Sequence, residues 1–337
     1  MTSFAAIASI FLNNQDMQHQ KVVILGTGGT IAGTSAGIGS AADNIHYTAA
    51  QVSASQLVEA IPALSRGHLL VEQVAQTDSK DMSFALWVAL AERVQHHLAL
   101  DDVQAVVITH GTDTLEETAY FLQALLSPSK PVVLTCAMRP ADALAPDGPQ
   151  NIRDAITVAR NPNAQGVVVV IAGVIHAALD VQKSHTYRLD AFSSGDGGPI
   201  GYVEENSLRL LRNWPVSQQN KGQAAPEKIA LLKSPLAWPR VEIVMNYAGA
   251  SGELVDLMAS AGVRGLVVAG TGNGTVHQAL EAALLRAQAL GLRIVRATRC
   301  AQGRVFARSD DVFPASDGLS PVKARIALML ELMNIGP

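Results

Sequence analysis

Short apolar runs alternate with longer segments of mixed polarity through the first half of the chain. The runs are rich in β-branched residues, which is typical of strands buried in a parallel sheet. They predict strands at residues 22–25, 69–74, 103–109, 132–135 and 167–172. Segments 82–98, 115–126 and 151–160 lie between them, carry apolar residues at helical spacing and predict helices. Capping boxes at Ser53 and Thr114, each with Gln or Glu three residues later, predict two helix starts.

The second half repeats the alternation after a polar stretch. Strands are predicted at 229–232, 241–245, 266–269 and 294–297, and helices at 254–261, 275–290 and 321–333. The fold class is therefore α/β, with two doubly wound α/β domains, a larger N-terminal one with a parallel-rich sheet and a smaller C-terminal one. The expected divisions are a flexible leader (1–19), an N-terminal domain (20–203), a linker (204–226) and a C-terminal domain (227–337).

Composition agrees with two domains and excludes some partners. A chain of 337 residues exceeds the usual size of a single core. Only 16% of the residues are charged and 48% are apolar, which favours a chain that buries surface between subunits. The formal net charge of −4 and the lack of a basic patch indicate neither a nucleic-acid nor a membrane partner.

Cysteine usage and the N-terminus indicate an intracellular protein. Cys136 and Cys300 are far apart and lack metal-ligand spacing, so we expect two buried thiols and no metal site. The apolar patch 4–12 has no positive charge before it and no clear cleavage site after it. No run of eighteen apolar residues occurs. We expect a cytoplasmic location, with a periplasmic one left open.

The first strand ends in a glycine-rich loop that presents two hydroxyls, those of Thr27 and Thr30. The glycines allow positive φ and a close approach of backbone amides to a bound group, as an anion or oxyanion site requires. They are Gly26, Gly28, Gly29 and Gly33.

Three familiar glycine motifs fit this loop poorly. The dinucleotide fingerprint places its last glycine on Ile31 and lacks the later acidic residue. The phosphate loop requires a lysine where Thr34 stands. The nucleophile-elbow pattern centres on Ser35, but it lies in a glycine- and alanine-rich loop instead of between a strand and a helix. Segment 35–50 is long and small-residue-rich, which makes it a candidate lid.

Polar side chains follow three of the predicted strands and are expected to meet. They are Thr27 and Thr30, Asp78 and Ser79, and Thr112 and Asp113. In an open parallel sheet the carboxyl ends of the strands share one edge, where ligands bind. Lys183, beyond the fifth strand, becomes a candidate base if it lies beside Asp113. Asn273, in a second glycine turn, can offer a donor and an acceptor to a polar ligand.

Two long motifs resemble the bacterial-type L-asparaginase and glutaminase-asparaginase family. They are residues 24–33, ILGTGGTIAG, and residues 107–119, VITHGTDTLEETA. Shorter matches are AMRP (137–140), DGP (147–149), GPIGY (198–202) and GTGNG (270–274). The likeness covers roughly residues 20–335 and implies the two-domain fold described above.

The resemblance implies catalytic roles for five residues. Thr30 is the nucleophile that forms an acyl-enzyme and releases ammonia, and Tyr47 is the lid tyrosine that orients or deprotonates it. Thr112, Asp113 and Lys183 form a second triad, in which lysine and aspartate polarise the Thr112 hydroxyl. Which threonine attacks first stays open. A threonine hydroxyl needs such a base before it can attack.

The resemblance also implies a set of substrate-binding residues, with neither metal nor organic cofactor. They are Gly29, Asp78, Ser79, Lys80, Gly111, Asn273 and Asp310. Lys80 departs from the family, which commonly has glutamine or glutamate there, so the choice between asparagine and glutamine is open. The family takes an acidic residue from a neighbouring subunit, for which we select Asp310 over Asp311. A homotetramer is the implied assembly.

The leading hypothesis is hydrolysis of the L-asparagine side-chain amide, with a possible side activity on L-glutamine. A non-catalytic amino-acid sensor on the same fold is the alternative, motivated by Lys80 and Asp310. A nucleotide-dependent enzyme would need the acidic residue and the lysine that the glycine loop lacks.

Overall fold

The computed structural model describes residues 20–35, 46–64, 68–215, 224–234 and 238–335. The leader predicted at 1–19 and most of the candidate lid lie outside these residues. The strands are β1 (Lys21–Gly28), β2 (Thr34–Ser35), β3 (Tyr47–Thr48), β4 (Leu69–Thr77), β5 (Val103–Thr109), β6 (Val132–Thr135), β7 (Val167–Ile171), β8 (Val174–Ala177), β9 (Gln182–Lys183), β10 (Phe192–Ser193), β11 (Gly201–Glu204), β12 (Ser207–Leu210), β13 (Val241–Met245), β14 (Gly265–Gly270) and β15 (Arg293–Thr298). The helices are α1 (Ala54–Glu59), α2 (Phe84–Leu98), α3 (Leu115–Leu126), α4 (Gly148–Ala159), α5 (Ala225–Leu232), α6 (Glu253–Ser260), α7 (Gln278–Ala289) and α8 (Pro321–Leu332).

The larger sheet has eight strands in the order β12-β11-β8-β7-β6-β5-β1-β4. The pairings from β4 through β7 are parallel, whereas β7-β8, β8-β11 and β11-β12 are antiparallel. The chain moves from β1 to β4 on one side and then to β5 on the other. The strand order therefore reverses between β1 and β5, and such a switch point opens a crevice at the carboxyl ends of the strands.

The smaller sheet is wholly parallel, in the order β13-β14-β15. Helix α8 contacts all three strands, and α7 contacts β15. The prediction of an α/β chain with a large parallel-rich sheet and a separate smaller one is confirmed.

Alternation along the strands divides the core into layers. On β5, Val106 and Ile108 pack on one face, while Ala105 and Val107 pack on the other. The first of these clusters continues into the small sheet and α8, so the two sheets share one hydrophobic layer. Because this layer joins both halves of the chain, α8 packs against α3 of the larger domain as well as against the smaller sheet.

The structure corrects four expectations. Residues 229–232 are the end of helix α5 and not a strand, because Ile229 and Leu232, three apart, are both buried on one helical face. Thr114 precedes α3 without a capping bond. Its hydroxyl donates to the Ser79 carbonyl instead. Cys136 is buried as predicted, but Cys300 is exposed in the turn after β15. The antiparallel strands β8, β11 and β12 were not predicted, since each is short and interrupted by polar residues, unlike the equally short β6.

The capping box at Ser53 is confirmed, with both reciprocal bonds to Gln56 present. The linker at 204–226 stays a prediction. Strand β12 lies within that range and pairs with β11 of the larger sheet. Residues 216–223 lie outside the described part of the chain.

Candidate active site

Thr30 lies directly after the bend that ends β1. Gly28 and Gly29 have φ values of +102° and +83°, so the chain turns back into a short 3-10 helix, Thr30–Ala32. Thr30 is buried, with 7% of its surface exposed. Its hydroxyl oxygen lies 2.7 Å from the Tyr47 hydroxyl oxygen, and either group can be the donor. A threonine hydroxyl and a phenol are therefore in direct hydrogen-bond contact.

Tyr47 is held in place by the small β2-β3 ladder, in which it pairs with Ser35. The Ser35 amide donates to both oxygens of Asp142, at 2.9 and 2.8 Å, and the Ser35 hydroxyl donates to Oδ1 at 3.0 Å. Ser35 thus fixes the ladder through Asp142. It lies on the short strand β2 and not in a loop as expected.

A second group of reactive side chains lies at the end of β5. The Lys183 Nζ donates to the Thr112 hydroxyl at 2.8 Å and to Asp113 Oδ1 at 2.6 Å. Thr112 is buried, whereas half of the Asp113 side chain is exposed. Lys183 reaches this point from β9, 71 residues after Thr112. The ammonium therefore bridges a hydroxyl and a carboxylate that is open to a ligand.

The loops that carry Thr30 and Thr112 touch through two glycines. A Cβ on Gly29 would lie 2.2 Å from the Gly111 Cα, and a Cβ on Gly111 would lie 2.5 Å from the Ser79 hydroxyl oxygen. Only glycine allows the three strand ends to approach this closely. The Gly29 amide donates to the Thr77 carbonyl at 2.9 Å, so it is engaged within the fold.

Ser79 ties the end of β4 to the loop after β5. Its hydroxyl oxygen accepts from the Asp113 amide at 3.1 Å, and its carbonyl accepts from the Thr114 hydroxyl at 2.7 Å. The Ser79 hydroxyl hydrogen is not used in the Asp113 contact and can donate to a ligand.

Lys80 and Asp78 form an ion pair of 2.9 Å beside Ser79. Two-thirds of the Lys80 side chain is exposed. Its hydrogen bond to Asp78 raises the pKa of Lys80 above its usual value. The carboxylate of Asp78 thus compensates the positive charge of Lys80.

Sequence reasoning missed His110, which lies between β5 and Thr112 and is fully buried. Burial lowers the pKa of His110 from 6.5 to about 4, so the ring is neutral at pH 7. The Trp87 Nε1 donates to the Thr118 hydroxyl at 2.9 Å. That hydroxyl lies 3.0 Å from His110 Nε2, and His110 Nδ1 lies 2.7 Å from the Gly111 carbonyl. The Trp87 indole can only donate, so the Thr118 oxygen accepts from it and its hydroxyl donates to His110 Nε2. The Gly111 carbonyl can only accept, so we place the ring proton of His110 on Nδ1. The position of His110 in the 107–119 motif was the available signal.

The predicted residues of the smaller domain do not join this cluster through any contact among the described residues. Asn273 accepts from the Phe306 amide at 2.7 Å and donates to its carbonyl at 3.3 Å. Asp311 forms an ion pair with Arg296. A hydrogen bond from the Arg308 amide, followed by that pair, lowers the pKa of Asp311. Asp310, its neighbour, is exposed.

The arrangement places two hydrogen-bonded threonine hydroxyls at one switch point of the sheet. A threonine paired with a phenol can attack a carbonyl carbon, and a threonine paired with a lysine can exchange a proton with it. Within residues 20–335, apart from the gaps given above, no group of three or more metal-ligating side chains occurs. The same residues contain no helix that could cross a bilayer.

Comparison with known proteins gives concordant matches. A family model described as "Asparaginase, N-terminal" matches residues 21–216, and "Glutaminase/Asparaginase C-terminal domain" matches residues 240–334. The chain is 36% identical to L-asparaginase 2 of Bacillus subtilis, over 92% of this chain and 81% of that protein. It is 36% identical to the glutaminase-asparaginase of Pseudomonas fluorescens, over 92% of this chain and 86% of that protein. The crystal structure of the probable cytoplasmic L-asparaginase of Campylobacter jejuni superposes with a TM-score of 0.85, 36% identity and coverage of 93% and 95%.

Proposed function

The chain belongs to the asparaginase family and is an amidohydrolase, and we propose that it hydrolyses L-asparagine to L-aspartate and ammonia. The observation that carries the proposal is the double hydrogen bond of Lys183 to Thr112 and Asp113. A lysine placed this way serves no obvious packing purpose, whereas it can polarise a hydroxyl beside a substrate.

In the proposed reaction, the Thr30 oxygen attacks the side-chain amide carbon while its proton passes to the Tyr47 oxygen, 2.7 Å away. The phenol gives its own proton toward the leaving amide nitrogen, so Tyr47 relays one proton and stays neutral. The tetrahedral intermediate collapses as the amide nitrogen takes up a proton and leaves as ammonia. Water then attacks the ester of Thr30 and frees the acid. Lys183 and Asp113 polarise the Thr112 hydroxyl, which exchanges protons with the reacting groups.

The ends of the amino-acid substrate find complementary groups nearby. Asp113 is half exposed and offers a carboxylate to the α-ammonium. Ser79 keeps a hydroxyl hydrogen for the α-carboxylate, since its oxygen only accepts from Asp113. Gly29 and Gly111 let this pocket close around a small ligand. Asp78 neutralises Lys80, so we propose that Lys80 does not set the choice of substrate.

We also propose that a second copy of the chain completes the site in a homotetramer. Asp310 is the better candidate for the acidic residue that one subunit contributes to its neighbour, because Asp311 is paired with Arg296 within its own domain. Asn273 has a second amide hydrogen beyond the one donated to Phe306 and can offer it to the ligand.

The test is ammonia release from purified protein with L-asparagine and with L-glutamine, compared over a wide concentration range. We expect release from asparagine, with a lesser release from glutamine. Thr30→Ala and Thr112→Ala should remain folded by circular dichroism and release no ammonia. An active Thr30→Ala/Thr112→Ala double variant would contradict the mechanism. Stoichiometric binding of aspartate without turnover in the wild type would favour an amino-acid sensor.

A further inference from the structure

Lys323 lies on α8, in the smaller domain, yet its ammonium binds the larger one. The side chain is completely buried. Its Nζ donates to the carbonyl of Leu179 at 2.8 Å and to that of Val181 at 2.6 Å. These two carbonyls lie just ahead of β9, the strand that carries Lys183.

Glu116 holds the same segment from the other side. Its Oε2 accepts from the backbone amide of Lys183 at 3.0 Å. Glu116 lies on the first turn of α3, directly after the loop that carries Thr112 and Asp113. The backbone from Leu179 to Lys183 is therefore held at three points, by a lysine of one domain and a glutamate of the other.

The energetic cost of this arrangement argues for a purpose. An ammonium taken out of water loses its hydration, and burial lowers the pKa of Lys323 to about 8. Burial likewise raises the pKa of Glu116. The two opposite charges attract each other, but an apolar pair of similar size would fill the space without the cost of desolvation.

We propose that Lys323 and Glu116 are positioning residues that fix the backbone of segment 179–183 and so place the Lys183 ammonium against Thr112 and Asp113. This inference rests on the proposed role of Lys183. Proton transfer depends steeply on distance, and a displacement of about 1 Å can cost on the order of a hundredfold in rate. A long side chain on a two-residue strand needs such external support to hold its Nζ within hydrogen-bond distance.

The neighbouring basic residue of α8 provides a matched control. Arg325 also lies at the junction of the two domains, where its guanidinium lies over the Phe84 ring at 5.8 Å. Its Nε, however, donates to the carbonyl of Val241, within the smaller domain. Arg325 therefore shares the helix and the interface but not the connection to Lys183.

The experiment compares Lys323→Met, Lys183→Met and the double variant, each measured for ammonia release per folded molecule. We expect Lys323→Met to lower kcat about 10- to 100-fold, with KM for asparagine changed by less than about threefold. If Lys323 acts through Lys183, its loss should cost nothing more once Lys183 is absent. Arg325→Met should lower the melting temperature but leave kcat unchanged.

Glu116 variants test the proposal from the other domain and serve if Lys323→Met does not fold. Glu116→Met removes the acceptor for the Lys183 amide and should lower kcat, whereas Glu116→Gln keeps an acceptor oxygen and should retain most of it. A folded Lys323→Met or Glu116→Met with wild-type kcat would overturn the proposal, as would effects that multiply with that of Lys183→Met. A wild type that releases no ammonia would instead refute the proposed function.

Discussion

The hydroxyl oxygens of Thr30 and Tyr47 lie 2.7 Å apart, where the β2-β3 ladder meets the glycine loop. A hydroxyl in this position can give its proton to the phenol or receive one from it. The contact supports the proposed proton transfer between Thr30 and Tyr47, which the first prediction tests.

Replacing Tyr47 by phenylalanine should lower kcat by about 10²- to 10⁴-fold, the usual range for loss of a general acid or base. KM for asparagine should change little, since the ring stays and the substrate ends bind elsewhere. Steady-state ammonia release measures both constants. Tyr202→Phe is the control, because Tyr202 lies on β11 and its ring is covered by Arg209. Equal activity of Tyr47→Phe and wild type would remove Tyr47 from the mechanism.

Loss of the Lys183 bridge should impair Thr112 and leave Thr30 unaffected. Lys183→Met leaves Thr112 without its donor at 2.8 Å and Asp113 without its ion pair. We expect kcat to fall by about 10²- to 10⁴-fold, with the Thr30 to Tyr47 contact unaffected. Crystallography of the variant would check that contact, and ammonia release would check the rate. Retention of full kcat would show that Thr112 needs no lysine.

The sequence sufficed to place three of the reactive groups on one sheet edge. Strands β1, β4 and β5 could be predicted from their apolar residues, and their polar ends had to meet once the sheet was parallel. It could not show that Lys183 reaches Thr112, because 71 residues and an antiparallel turn intervene. Only the family resemblance suggested that pairing. No local sequence pattern indicated that Lys323 binds the segment before Lys183, because its two partners, Leu179 and Val181, lie more than 140 positions earlier in the chain.

The failures also have local causes. Residues 229–232 were predicted to form a strand because four residues are too few to show the 3.6-residue period of a helix. Thr114 matched a capping box, but its hydroxyl donates to the Ser79 carbonyl, which follows β4, 35 residues earlier in the chain. His110 was passed over because a buried histidine leaves no periodic signal. Of these three, only Thr114 was decided by a contact distant in sequence.

The contact of Gly29 with Gly111 should make Gly29→Ala strongly destabilising. The new Cβ would overlap the Gly111 backbone at 2.2 Å, and φ at Gly29 is +83°. Overpacking and the left-handed backbone together should cost about 2–5 kcal/mol in free energy of unfolding. Gly249→Ala is the matched control, because φ there is +74° with nothing within 4 Å of the added Cβ. It should lose only about 1–2 kcal/mol. Denaturant titration measures both, and equal losses would refute the role of close contact.

Substituting Lys80 by glutamine should leave the preference between asparagine and glutamine nearly unchanged. The Lys80 charge is paired with Asp78, and an exposed pair of this kind contributes little, because water screens both charges. The ratio of kcat/KM for the two substrates should therefore move by less than about fivefold. Competition between the two substrates in one assay gives the ratio directly. A larger shift would mean that Lys80 contacts the bound substrate.

The pH dependence of stability should carry a contribution from His110 and from His176. Burial is the main cause of the lowered pKa of each, about 4 in the fold against an ordinary 6.5. Between these values the unfolded chain binds more protons, so the free energy of unfolding rises with pH. The contribution is complete above pH 6.5 and is lost as the pH falls to 4. At about 1.36 kcal/mol per pKa unit, each histidine accounts for at most about 3 kcal/mol.

Comparison of wild type with His110→Asn isolates this contribution from that of the buried carboxyls. The raised pKa values of Glu117 and Asp154, caused first by burial, oppose the histidines as pH changes, but they are common to both proteins and cancel in the difference. Urea denaturation at pH 7, 6, 5 and about 4.5 should show a smaller loss of stability in His110→Asn. His176→Asn should reduce the loss of stability on acidification by a similar amount, because burial lowers the pKa of that ring to about 4 as well. His176 lies away from the threonines, against Ser194. Parallel curves for all three proteins would mean that neither ring is held neutral by the fold. If only His176→Asn flattened the curve, His110 would accept a second proton as readily in the folded protein as in the unfolded chain, and its pKa would not be lowered by burial.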